Sequence, residues 1–192
     1  TTTKIKNLVN VKSLLKLNLH FGGNINKVSN KFWPELKGTY NKIAIINLQK
    51  TVLNMQIIDE LFTKIISRGG SVLFLSPSKN LNPNLDLVKK FSQNCSEDFY
   101  QGPWLGGILT NRFKVNYTQP NLDKKLRPYL NKFNYDALFL LGAKDSYNAA
   151  LQEFKKVNHS PVIGLTNTTG DLNHIDYLLT GLNAQSNNNL HI

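Results

Sequence analysis

The sequence predicts an α/β domain, a parallel sheet with helices on both faces, and three features carry that reading. Short continuous apolar runs recur at residues 43–48, 71–75, 136–141, 161–166 and 175–179, the pattern of strands covered on both sides. Between them lie stretches of helical periodicity, bounded by capping and turn residues. Right-handed crossovers then place the helices on either face, giving three layers. A chain of 192 residues suits one domain with a core that needs no staples. It reads as a single unit, 1–192, with a basic front end over 1–40 and an Asn-rich tail over 184–192 expected to be mobile.

Residues 11–19 are expected to form a helix, with Leu14, Leu15 and Leu19 on one side and Gly22-Gly23 ending it. Lys12 and Lys16 stand one turn apart there, so both can face one phosphate track. A basic loop runs on to Tyr40, and 43–48 is the first strand. Thr51 is the expected cap of the next helix, whose apolar positions Leu53, Ile57, Leu61 and Ile65 recur at every fourth residue. Arg68-Gly69-Gly70 closes it. Strand 71–75 follows, then a helix at 85–91 ahead of the segment 99–111. A helix around 147–157 separates the strands 136–141 and 161–166, and 175–179 is the last strand.

Charge is the strongest global signal. Lys and Arg number 23 against 12 Asp and Glu, a net +11. Residues 1–50 hold nine lysines and one acid, Glu35, whereas 51–100 balance at five and five. Segregation of this kind suits a face turned to a polyanion, where phosphate neutralisation releases counterions; a solubilising surface is the other reading. Lysine outnumbering arginine favours backbone attraction over base reading. No apolar run reaches the roughly 18 residues needed to cross a bilayer. The single cysteine, Cys95, excludes an internal disulfide and a cysteine-built metal site, and fits a reducing compartment. The opening Thr1-Thr2-Thr3 shows neither an apolar signal core nor an Arg-rich transit helix. Abundant Asn, Lys, Ile, Leu and Tyr with scarce Ala is a bias typical of AT-rich coding, common in organelle genomes.

No enzyme site assembles. There is no Gly-x-Gly-x-x-Gly after a strand and no phosphate loop ending in Gly-Lys-Ser/Thr; Gly22-Gly23 and Gly106-Gly107 read as close-packing or turn glycines. His20, His159, His174 and His191 lie on separate segments without metal-ligand spacing. His20, at a helix end, suits the dipole or an RNA contact better than a metal. Asp136, Asp145, Asp171 and Asp176 fall near strand ends, but Asp171 and Asp176 read as turn and strand-start residues. Ser76-Pro77-Ser78 lacks the glycines of a nucleophile elbow. Lys31-Phe32-Trp33-Pro34 sets an indole among cations, where it can stack on an unpaired base or pack under a loop. Trp104 reads as core, with Arg112 and Lys114 following on a loop that can reach phosphate.

These residues resemble the bacterial and organellar small-subunit ribosomal protein S-two family. Leu19-His20-Phe21-Gly22 is similar to its amino-terminal signature, and Trp33-Pro34 to its Trp-Asn-Pro element without the Asn. Ile45-Ile46-Asn47-Leu48-Gln49-Lys50-Thr51 resembles its strand-to-helix turn, and Trp104-Leu105-Gly106-Gly107-Ile108-Leu109-Thr110-Asn111 its glycine-rich block. Asp136-Ala137-Leu138-Phe139, Pro161-Val162-Ile163-Gly164 and Ile175-Asp176-Tyr177 follow in the family's order. The resemblance implies a Rossmann-like (flavodoxin-like) fold with sheet order 2-1-3-4-5 and no enzymatic activity. It also implies a place on the outer face of the small subunit between head and body, against rRNA and neighbouring ribosomal proteins. No cofactor, metal, membrane or small-molecule substrate is expected. The family's long helical hairpin has only residues 112–135, with Pro120 and Pro128, to stand for it, so it is expected to be lost or shortened. Pro103 stands where an Arg usually precedes the Trp, and Tyr135 where a Pro is usual.

The expectation is therefore a structural protein of the small ribosomal subunit, in the mitochondrion rather than the plastid or a bacterium. Lys12, Lys16, His20, Lys27, Lys31, Trp33, Lys37, Arg112 and Lys114 are expected to bear on rRNA. Two rivals stand beside it: a flavodoxin-like enzyme using the crevice at the strand carboxyl ends, and an RNA-binding module that works outside ribosomes.

Overall fold

The computed structural model, which describes residues 10–76, 85–102, 104, 106–111, 134–142, 147–170 and 172–180, has two sheets rather than one. The front end gives a short helix α1 (Val11–Lys16), strand β1 (Phe21–Asn24), two 3-10 turns (Ile25–Lys27 and Asn30–Glu35) and strands β2 (Leu36–Tyr40) and β3 (Ile43–Ile46). Helix α2 (Leu48–Ser67) leads into β4 (Val72–Ser76), α3 (Leu85–Asn94), β5 (Asp98–Gln101), β6 (Ala137–Leu141), α4 (Asn148–Asn158), β7 (Val162–Thr166) and β8 (Tyr177–Thr180).

The larger sheet is parallel throughout, in the order β5-β4-β6-β7-β8. Its central strands are unbroken apolar runs because both faces are covered; every residue of β4 is buried. On one face Leu73, Leu75, Leu138 and Leu140 pack against Tyr147, Leu151 and Phe154 of the α4 segment. On the other, Val72, Phe74, Ala137, Leu141 and Ile163 pack against Ile58, Phe62 and Ile65 of α2 and Val88 of α3. This is the expected three-layer α/β sandwich, and the order 2-1-3-4-5 holds with β4 counted first.

The sheet's membership differs from the expectation. Residues 43–48 do not enter the parallel sheet: β3 is the middle strand of a separate antiparallel sheet, β1-β3-β2. Asn41 and Lys42 both take positive φ, 46° and 63°, the two-residue turn that folds a chain straight back on itself. A parallel neighbour would need a long crossover instead. The place of second strand goes to β5, where only Phe99 and Tyr100 are buried between half-buried polar ends, too short a run to stand out.

Smaller corrections follow along the chain. Helix α1 stops at Lys16 with Leu17 as its cap, and Gly22-Gly23 lie inside β1 rather than ending a helix. Asn47, not Thr51, caps α2: its Oδ1 accepts from Gln49 N and Lys50 N at 3.1 and 3.4 Å. Thr51 is buried within the helix, its Oγ1 2.6 Å from Thr180 Oγ1 on β8. Along α2, Leu61 and Ile65 face the sheet, but Leu53 and Ile57 are 57% and 49% exposed. A four-residue spacing overshoots a helical turn by about 40° each step, so that stripe winds off the buried face.

The front module has its own small core, Leu14, Ile46 and Leu48, ringed by Val11, Leu19, Leu36, Val52 and Met55. It meets the body where β1 crosses the loop beyond β7. Gly23 N–H donates to Thr168 Oγ1 at 2.8 Å and Ser29 N–H to Thr168 O at 3.2 Å. A Cβ on Gly22 would lie 2.7 Å from Thr168 Cγ2 and 3.0 Å from Ala44 O, so glycine is required by contact. The hairpin interval 112–133 and the tail from 181 onward lie outside the described residues.

Gly22→Ala is expected to cost about 1–3 kcal/mol in urea unfolding, the range for overpacking a close contact. Adding Thr168→Ser, which removes Cγ2 but keeps the hydroxyl for Gly23, should return part of that loss. A single variant as stable as the parent would show that the seam yields freely.

Candidate nucleic-acid interface

The fold gathers most of the expected contact residues on the front module. Lys12 and Lys16 are exposed one turn apart on α1, on the side away from the buried Leu14. Lys27 ends the first 3-10 turn, Lys31 and Trp33 lie in the second, and Lys37 is on β2; all are exposed. Lys31 Nζ donates to Asn173 Oδ1, which ties the turn to the loop before β8. Lys50 is committed elsewhere: it donates to Pro34 O at 2.5 Å and lies 3.8 Å from Glu35, the front end's only acid. Lys12, Lys16, Lys27 and Lys37 have no ion-pair partner among the described residues, so their field is uncompensated locally. Arg112 and Lys114 lie outside the described residues.

The two adjacent aromatics divide their roles. Phe32 is fully buried, while Trp33 is 50% exposed, so the ring that holds the turn down is Phe32. His20 is not at a helix end. It sits in the turn before β1, half-buried, with its ring 4.0 Å from that of Phe21. Its carbonyl accepts from Ile46 N at 2.8 Å, and its buried Nδ1 has no partner among the described residues. The helix-dipole role expected for it therefore falls away.

Glu153 is the residue that sequence reading missed. It lies on α4 in the apolar stripe with Ala150, Leu151 and Phe154, and is 7% exposed. Its Oε2 accepts from Trp104 Nε1 at 2.9 Å and Gly107 N at 3.0 Å. Its Oε1 accepts from Leu109 N at 2.7 Å, Thr110 N at 2.8 Å and Thr110 Oγ1 at 3.0 Å. One carboxylate thus organises the glycine-rich segment, with Gly107 supplying the left-handed turn at φ 92°. Burial pushes the Glu153 carboxyl up, but the donors from Thr110, Trp104, Gly107 and Leu109 outweigh it and hold the group below its ordinary range. Trp104 packs on the core with its ring edge-on to Tyr100, as expected. The readable signal was an acid standing where the helical period calls for an apolar residue.

At the carboxyl ends of β4 and β5 a buried tyrosine ties the two strands together. Tyr147 is 1% exposed, and its hydroxyl bridges the ends of β4 and β5, lying 3.0 Å from Ser76 O and close to Gly102 O. Burial, with Tyr100 beside it, pushes that hydroxyl far above its ordinary range, so it stays a neutral donor. Asp136 and Asp176 serve the backbone at the opposite strand ends, accepting from Ser71 N at 2.8 Å and Val162 N at 2.9 Å. Among the described residues no three His, Cys, Asp or Glu stand together as a metal site, and no helix is long and apolar enough to cross a membrane. An open groove of about 880 Å³ lies between α2 and α3, lined by Phe62, Ile66, Phe74, Phe91, Phe139 and Leu165.

Comparison with known proteins agrees with the sequence pattern. The family model described as "Ribosomal protein S2" matches residues 14–134. A protein of Desulfatibacillum aliphaticivorans, "Small ribosomal subunit protein uS2", is 28% identical over 204 residues, which take in 90% of this chain and 68% of that one.

Glu153→Gln leaves the shape but replaces one acceptor oxygen by a donor, so two or more loop donors lose their partner. The expected loss is about 2–4 kcal/mol, as for breaking buried charge-assisted bonds. Because the folded carboxyl titrates below its unfolded value, its contribution is full above the unfolded value, about pH 4.3, and fades as pH falls through the folded one. Urea midpoints of parent and variant should therefore converge below about pH 4 and stay apart at pH 7. A gap independent of pH would mean that the charge is not what holds the loop.

Proposed function

Because this chain belongs to the ribosomal protein S2 family and so serves as a structural constituent of the small ribosomal subunit, we propose that it is held on rRNA by its lysine-rich front module. The observation that carries the reading is the cluster of uncompensated cations: Lys12, Lys16, Lys27 and Lys37 stand on one module, with Lys31 and Trp33 in the same turn. Phosphates neutralised by such lysines release counterions, which gives affinity without sequence readout. The body acts as a rigid spacer. Tyr147 ties β4 to β5 and Glu153 holds the glycine-rich segment that precedes Arg112 and Lys114 in the chain, and we assign those two to a second rRNA contact. His20 is kept among the contact residues for its half-buried place in the turn before β1, on the same module.

The setting we infer is the head–body junction of a mitochondrial small subunit, with neighbouring ribosomal proteins as further partners. The AT-rich residue bias supports the organelle. The aligned stretch of 204 residues is longer than the part of this 192-residue chain that it takes in, so the relative carries segments without a counterpart here. That supports loss or shortening of the hairpin.

A non-catalytic role is favoured by membership of a family of ribosomal structural proteins. The groove between α2 and α3 is walled mainly by aromatic and aliphatic side chains on a sheet face.

The charge reversal Lys12→Glu with Lys16→Glu tests the assignment by sedimentation with small subunits at moderate salt. The double variant should co-sediment at least tenfold more weakly, while its urea midpoint stays near that of the parent. Full incorporation would remove α1 from the rRNA face. Tight, stoichiometric binding of a flavin or nucleotide in a thermal-shift panel would favour the enzyme instead.

A further inference from the structure

We propose that the β2–β3 hairpin is an RNA-docking arm, with Tyr40 as a stacking platform for an unpaired base and Lys37 and Lys42 on the flanking phosphates. The inference rests on the rRNA reading above and adds residues that it did not include. From Lys37 to Lys42 every residue is exposed, so no part of the body covers either face of this strand end. The outer edge of β2 pairs with no strand among the described residues, leaving backbone donors open to phosphate oxygens. Tyr40, at 64%, is the most exposed aromatic among the described residues. Residues two apart share a face of a strand, so Gly38 and Tyr40 lie on one face, and nothing stands within 4 Å of where a Gly38 side chain would be. A bare aromatic next to a side-chain-free shelf is the geometry that a flat base fills.

The charges fit the same occupant. Lys37 and Lys42 bracket the ring in sequence and have no acidic partner among the described residues. The front end's only acid, Glu35, faces Lys50. Lys42 also holds a backbone conformation, φ 63°, that glycine would adopt with less strain. A lysine kept in a glycine's conformation points to a use for its side chain.

Fluorescence anisotropy of the full chain with two labelled RNAs of equal length, a stem with a single-stranded purine loop and a blunt duplex, tests this. The parent should prefer the stem-loop. Tyr40→Ala should weaken stem-loop binding by about 5- to 50-fold, the range of base–aromatic stacking, and leave the duplex within about twofold; Tyr40→Phe should restore it. Lys42→Gly suits the turn and should hold or raise the unfolding midpoint, yet weaken both RNAs and flatten the salt dependence. Unchanged stem-loop binding by Tyr40→Ala, or by Lys42→Gly, overturns the arm while leaving the rest of the front module in place. Equal dependence on Tyr40 for a poly-glutamate probe would assign the arm to an acidic protein and overturn it as well. A parent chain that binds neither RNA would overturn the wider rRNA reading and the arm together.

Discussion

Two sheets that share no strand meet at Gly22 and Thr168, and the placing of the basic front module depends on that contact. The missing Cβ lets β1 approach within van der Waals range of the threonine methyl, while the threonine hydroxyl and carbonyl each accept a backbone N–H from the module. Two further ties brace the joint from α2: Thr51 against Thr180, and Asn54 Nδ2 donating to Leu178 O at 3.0 Å. Surface lysines have long, freely rotating stems and cannot orient themselves. Their spacing comes from the seam.

The parallel sheet supplies rigidity in a form that an enzyme of the same architecture would spend on a ligand. Here Tyr147 ties the carboxyl ends of β4 and β5 together with its hydroxyl. Glu153 does the equivalent work on the α4 face, collecting the donors of a glycine-rich segment that would otherwise be left without partners. Both groups are buried and polar, and both are matched to backbone or indole partners rather than to free space. Function in such a molecule lies in what the loops present, since a fold shared with enzymes does not bring their chemistry with it.

The legibility of each element followed from how local its cause was. The runs that became β4, β6, β7 and β8 were readable because burial on both faces writes itself into consecutive apolar residues. The run at 43–48 looked the same, and only the left-handed pair Asn41-Lys42 turned it into a hairpin strand of another sheet. β5 was invisible because two buried residues make no pattern. On the front module the charge segregation was legible in the sequence, but which aromatic faced outward was not. Phe32 and Trp33 are neighbours of similar hydrophobicity, and the 3-10 turn decides between them.

By itself the sequence determined the fold class, four of the strands in the main sheet, the absence of familiar nucleotide and metal motifs, and the end of the chain that carries the positive charge. These depend on composition and on periodicities of a few residues, which survive without knowledge of distant partners. Tertiary structure alone decided which apolar run joins which sheet, that Thr51 is a buried tie rather than a cap, that Glu153 is a buried clamp, and that Tyr40 stands clear beside an open glycine. Each of those is a contact, or a lack of one, between positions whose nearness is set only when the sheets close on each other.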